Sequence, residues 1–181
     1  MIHITKYNWE YSKESIIEKV FKNKFIKKEL NGNTSLNTDE LMFYCDEFNS
    51  IHRFVIQEFS KIKKIDITCY ALNMWSYIQT NKTETEMFHT HLRVDGGRTN
   101  ILTEYSFVFY LKIPKGLKLD EGDLLLNIKN KIQSIKPMEG DIIFFPGNIL
   151  HMPKLTPSAM EDRIVIAGNI STDFITNKII I

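Results

Sequence analysis

Apolar positions along the chain change period near residue 65. Before it they recur at helical spacing. Ser12, a good N-cap, precedes a stripe of Ile16, Ile17, Val20 and Phe21, and the pattern predicts a first helix over residues 12 to 28. Asn31-Gly32-Asn33 then supplies turn chemistry. Leu41, Cys45, Phe48, Val55, Phe59 and Ile62 fall three, four or seven apart and predict a second helix from about Thr38 to Ile62. Asn37 and Glu40 stand at capping-box spacing before it.

After residue 65 the texture is that of strands. Residues 65 to 78 are rich in β-branched and aromatic side chains, with Trp75 and Tyr77 in one alternation set and Met74 and Ile78 in the other. A polar loop, 80 to 86, leads to a strand around Phe88-His89-Thr90-His91 that Gly96-Gly97 ends. Further strands are expected at 105–113, 123–128, 132–135, 141–145 and 163–170, with turn residues between most of them. Many short, frequently broken strands indicate a mainly β sandwich or barrel, not a parallel α/β sheet. The expected architecture is one domain over residues 1–181. Its N-terminal part, 1–64, is a helical buttress on one face of a β core formed by 65–181. The apolar tail, 174–181, reads as a last strand of the sheet, with a dimerisation strand as the sharper alternative, so monomer and homodimer both stay open.

Composition narrows the partners. A chain of 181 residues with 43% hydrophobic and 25% charged residues has the make-up of an ordinary globular domain. Its net charge of +1 is spread evenly, so no basic patch argues for nucleic acid. No apolar run approaches the ~20 residues of a membrane helix, and the N-terminus lacks a signal-peptide pattern. The two cysteines, Cys45 and Cys69, read as buried thiols of a reducing compartment. Cytoplasm is the expected location, with a small molecule or a side chain as the expected substrate.

The chemistry concentrates in histidines. His89 and His91 are one residue apart, so on a strand both project to the same face. His151 follows far downstream, after Gly140-Asp141 and Pro146-Gly147. The chain has five histidines and three stand in these positions, which favours a metal site over surface or loop histidines. Asp95 shares the parity of His89 and His91 and is an alternative ligand, although an Asp before Gly96 is also a plain turn residue. His52 and His3 carry no such case. No Ser-His-Asp order, phosphate-cradling glycine loop or CxxC is present.

Phe88-His89-Thr90-His91, Tyr105 to Leu111, Gly122 to Leu126, Pro137 to Pro146, His151 and Arg163 to Asn169 together resemble the Fe(II)- and 2-oxoglutarate-dependent oxygenases. They are most like a small phage and bacterial subgroup with His-x-His in place of His-x-Asp. The resemblance covers roughly residues 70 to 171. It implies a double-stranded β-helix (jelly roll) with the two helices packed on one face, and a dioxygenase, specifically a hydroxylase, that converts 2-oxoglutarate to succinate and carbon dioxide. It also implies Fe(II) held by His89, His91 and His151, and 2-oxoglutarate anchored by Arg163. Tyr110, Asn73 and Asn169 are further cosubstrate contacts on the same ground. If the chain is phage-encoded, its compartment is the host cytoplasm. A planar guanidinium meets a carboxylate at two points, which suits Arg163 to that role. Two features depart from the family pattern. His91 occupies the usual carboxylate position, and Arg163-Ile164-Val165 lacks the frequent Arg-x-Ser hydroxyl.

Cupins share the double-stranded β-helix, and the spacing of His89, His91, Gly140, Pro146 and His151 fits their motifs nearly as well, without requiring Arg163. The competing expectations are therefore a cupin-type metalloenzyme that does not use 2-oxoglutarate and a non-catalytic jelly-roll binding or structural module.

Overall fold

The structure is a computed structural model. It describes residues 1–22, 26–29, 32–35, 45–64, 71–84, 86–91, 93–96 and 99–171, with the backbone alone for 26–29, 32–35, 71–72, 93–96 and 99–102. The proposed cap at Asn37 and Glu40, Cys69 and the tail 174–181 lie outside the described residues.

In chain order the elements are β1 (His3–Lys6), α1 (Lys13–Lys22), β2 (Ile26–Glu29), β3 (Gly32–Ser35), α2 (Asp46–Lys63), β4 (Ala71–Gln79), β5 (Arg93–Gly96), β6 (Thr99–Leu102), β7 (Tyr105–Lys112), β8 (Leu124–Ile128), β9 (Lys131–Ile135), β10 (Asp141–Pro146), β11 (Leu150–Pro153) and β12 (Arg163–Ser171). Seven strands form the major sheet in the order β1-β10-β7-β12-β4-β3-β2; β11-β8-β9 form a second sheet and β5-β6 a hairpin. Among the described residues the fold is mainly β, with two N-terminal helices. No described helix is long and apolar enough to cross a membrane.

Both faces of the major sheet are covered, which explains its nearly continuous apolar runs. Met74, Ile78, Phe107, Phe109, Leu111, Ile142, Phe144, Ile164, Ile166 and Ile170 form one buried cluster with Ile16 and Val20 of α1 and Phe48, Ile51, Val55 and Phe59 of α2. Their strand neighbours Tyr110, Ile143, Phe145 and Val165 point the other way and pack with Leu124 and Leu126 of the second sheet. Trp75 and Tyr77 alternate with Met74 and Ile78 as the sequence pattern requires. Burying one such side chain contributes roughly 1.5–3 kcal/mol, so this two-layer core is the main source of stability.

The helices follow local rules. Ser12 Oγ accepts the Ser15 N–H at 3.2 Å, an N-cap, and Glu14 in the first turn with Lys19 and Lys22 in the last complement the helix dipole. α2 has Asp46 and Glu47 in its first turn, and ends at Lys64 in the left-handed region (φ 59°) with its N–H on Ser60 O.

The N-terminal part corrects two expectations. The first helix ends at Lys22 instead of residue 28, because Ile26–Glu29 pair with Gly32–Ser35 in a hairpin. Gly32 and Asn33 are therefore strand residues. Nor is the segment 1–64 purely helical. β1 extends the sheet beside β10 (His3 opposite Phe144), and β3 extends the opposite side beside β4 (Thr34 opposite Tyr77).

Candidate active site

His151 stands on β11, at the free side of the second sheet, and is 4% exposed. Across from it runs the His89 segment. His89 N–H donates to His151 O at 3.0 Å and His151 N–H donates to His89 O at 2.9 Å. The His-x-His stretch is thus no regular strand, as the alternation suggested, but an extended segment with a single bridge, His89 to His151. His91 is tied down separately, its N–H donating to Gly147 O at 3.0 Å.

These backbone bonds bring the three imidazoles together. One ring nitrogen from each of His89, His91 and His151 lies within 4.8 Å of the others. Ring centroids are 4.3 Å apart for His89 and His151, and 5.0 Å for each of the other two pairs. His89 Nδ1 is 2.9 Å from Met87 O, and His151 Nδ1 is 3.0 Å from Ile149 O. A carbonyl accepts only, so each Nδ1 carries the proton and Nε2 keeps its lone pair for a ligand. Burial pushes His91 down to about 4 and His151 down to about 3, helped by the neighbouring imidazole of His89. Both are neutral donors at ordinary pH. Trp75 backs His91 at 5.4 Å and Phe145 backs His151 at 4.7 Å.

The three histidines open onto a cavity of about 240 Å³ between the two sheets, lined mostly by apolar side chains. Arg163, the first residue of β12, also lines it and is 1% exposed. One terminal nitrogen donates to Gly122 O at 3.0 Å, while its Nε is buried without a partner. Burial lowers the guanidinium pKa; Tyr110, Glu86 and Tyr77 act in the opposite direction. Tyr110 lines the same cavity, and burial pushes its phenol up to about 12, so it is a hydrogen-bond donor there.

Asn73 and Asn169 do not line the cavity. Asn73 Oδ1 accepts the Asn169 N–H at 3.0 Å and Asn169 Oδ1 accepts from Ser106 Oγ at 2.9 Å, so the pair fastens β4, β12 and β7 together. Asp95 sits on the β5–β6 hairpin, opposite Asn100, and its side chain is outside the described residues. Sequence reasoning missed Glu86, one of two acids in a polar loop with no motif around it. It lines the cavity, and its Oε1 accepts from Tyr77 Oη at 2.7 Å and from Gln79 Nε2 at 2.8 Å. Burial raises its carboxyl above the usual range, against the pull of those bonds and of Arg163.

A buried guanidinium with a free Nε shares one apolar cavity with a cluster of three imidazole nitrogen donors. The donor set suits a divalent transition metal with open positions, and the orphaned N–H of Arg163 suits a carboxylate.

No family model matches the sequence, and no curated protein matches it. Solved structures do match. The viral collagen prolyl hydroxylase of Paramecium bursaria Chlorella virus-1, in its 2OG complex, superposes with a TM-score of 0.64 at 18% identity, over 93% of this chain and 95% of that one. HygX from Streptomyces hygroscopicus with nickel and 2-oxoglutarate bound gives 0.66 at 8% identity, over 96% of this chain and 83% of that one. A prolyl-4-hydroxylase of Pseudomonas putida gives 0.62 at 10%, over 94% and 92%. The chain has the fold of the 2-oxoglutarate- and iron-dependent oxygenases. In that double-stranded β-helix the His89–His151 pair and Arg163 line one cavity between the sheets.

Proposed function

We propose that the chain is an Fe(II)- and 2-oxoglutarate-dependent dioxygenase acting as a hydroxylase on a small molecule or a side chain. The observation that supports it most is the sharing of one apolar cavity by three tied-back histidines and a buried, incompletely partnered arginine. In this reading His89 and His151 bind through Nε2 and His91 is the third ligand. Arg163 grips the distal carboxylate of 2-oxoglutarate, and Tyr110 donates a hydrogen bond inside the same cavity. When bound, iron with 2-oxoglutarate supplies a dioxygen-dependent oxidation coupled to decarboxylation of the cosubstrate. The chain's own residues do the rest. The carbonyls of Met87 and Ile149 orient the imidazoles. Trp75, Phe145 and Val165 keep water out, which strengthens every charge interaction within.

The all-histidine donor set favours a second reading, a cupin-type metalloenzyme without 2-oxoglutarate, since it brings one negative charge fewer than a set with a carboxylate. Anaerobic Fe(II)-loaded protein decides between them. Addition of 2-oxoglutarate produces a visible charge-transfer band under the first reading, and the Arg163→Ala variant loses it. Absence of the band, with activity that survives Arg163→Ala, supports the cupin reading instead.

A further inference from the structure

Glu86 is the one acidic side chain, and Arg163 the one permanently cationic side chain, among the described residues that line the cavity. They share a built frame. Gln79 is the cross-strand partner of Arg163, and its carbonyl oxygen accepts from Thr156 Oγ1 at 3.3 Å. That bond fixes the amide so that its Nε2 donates to Glu86. Tyr77 Oη donates to the same oxygen, so two side chains of β4 cradle this carboxylate in the cavity that the guanidinium also lines. Arg163 meanwhile has one neutral carbonyl acceptor and an unpartnered Nε. A buried cation needs a compensating anion nearby, and Glu86 is the one acid among the described residues that lines its cavity, without a direct ion pair between the two.

We propose that Glu86 is a resident counter-ion of Arg163 that competes with the distal carboxylate of an incoming dicarboxylate, and so weakens and makes reversible the binding of both cosubstrate and product. The inference rests on Arg163 being the cosubstrate anchor. Charge balance agrees with it. Three imidazoles bring no charge, so a divalent metal, Arg163 and Glu86 sum to +2, which matches a dianion. Without Glu86 the cavity would carry +3 and hold dianions more tightly. A product that retains the distal carboxylate would then leave slowly. Glu86 is thus a positioning residue that acts through Arg163, without touching the reacting atoms.

The test uses Ni(II)-loaded full-length protein, with calorimetric titration of 2-oxoglutarate and of succinate at fixed salt. Glu86→Gln is expected to bind both about tenfold more tightly than the unaltered chain, the sign and scale of removing one nearby like charge in a low-dielectric cavity. Its metal- and ligand-free form is expected to melt at lower temperature, because Arg163 loses its counter-ion. A merely structural role for Glu86 can only weaken binding, so the direction discriminates. Glu86→Ala gives a second charge-removing variant should Gln disturb folding. In an Arg163→Gln background the gain disappears if Glu86 acts through Arg163. Equal or weaker binding by both Glu86 variants overturns the proposal while leaving the cosubstrate assignment standing. Failure of the unaltered Ni(II)-loaded chain to bind 2-oxoglutarate overturns both.

Discussion

His89 and His151 form a doubly hydrogen-bonded pair across the free side of β11, with N–H to carbonyl distances of 3.0 and 2.9 Å. The backbone therefore sets the approach of these two imidazoles, and each Nδ1 is held by a carbonyl two residues upstream. A site so arranged is lost by truncating the side chain without unfolding the segment that carries it. His89→Ala and His151→Ala are each expected to weaken divalent metal binding by more than about 100-fold, beyond the usual effect of an outer-sphere change. The fold should persist. Metal content after dialysis, read beside circular dichroism, checks both halves of the expectation.

Arg163 lines the same cavity but is not one of the clustered nitrogen donors, and its guanidinium donates to Gly122 O. Arg163→Ala should thus leave metal affinity within about twofold while weakening 2-oxoglutarate binding about 100-fold or more, the worth of two charge-assisted hydrogen bonds. Titration of the metal and of 2-oxoglutarate into the same preparation separates the two. Parallel loss of both would mean that Arg163 shapes the whole cavity instead of anchoring one ligand.

The strands that build the cavity were legible because each is a contiguous apolar run punctuated by glycine, proline or polar turns; β7, β8, β10 and β12 start and stop within two residues of expectation. The histidines were legible because they are few and regularly placed. What local pattern could not show was pairing at long range. Residues 3–6 and 32–35 become strands only because β10 and β4 offer them free edges, and nothing in their own short runs carries that information. Phe25 stands four residues after Phe21, at helical spacing, yet the pairing of Ile26–Glu29 with β3 takes the chain out of the helix. Glu86 escaped for a related reason. Its partners Tyr77 and Gln79 belong to another element, and a loop acid acquires meaning only when folding sets it in one cavity with a buried cation. Asn73 and Asn169 lie opposite each other on adjacent strands, where the Asn73 amide accepts the Asn169 backbone N–H and the Asn169 amide accepts from Ser106.

Gly168 is where the major sheet tolerates no side chain. A Cβ built there would lie 2.5 Å from Phe107 Cε1 and would also collide with the carbonyl oxygen of Asn73. Backbone on one side and a fully buried ring on the other cannot both yield. Gly168→Ala is expected to cost about 3 kcal/mol, at the upper end of overpacking, lowering Tm by about 6–12 °C for a chain of this size. Thermal unfolding of the variant checks it. Because Gly168 also lines the cavity, weaker 2-oxoglutarate binding should accompany the change.

Acid should destabilise the metal-free protein well before its carboxylates titrate. In the folded chain burial holds His91 at about 4 and His151 at about 3, whereas an unfolded histidine titrates near ~6.5. As pH falls through about 6.5 the unfolded state takes up protons that the folded state refuses, so it binds more protons and folding stability must fall. The stability contributed by the two neutral imidazoles is fully present above pH ~6.5 and is lost progressively down to the folded values. His52, also lowered by burial, adds in the same direction. Between pH 6.5 and 5 the expected loss is about 2–4 kcal/mol, a large share of an ordinary domain's stability. Urea unfolding of chelator-treated protein across that window measures it. His151→Gln removes one of the responsible groups and should flatten the slope. If the variant and the unaltered chain lose stability equally, His151 is not held neutral by the fold, and the electrostatic account of the three-histidine cluster fails with it.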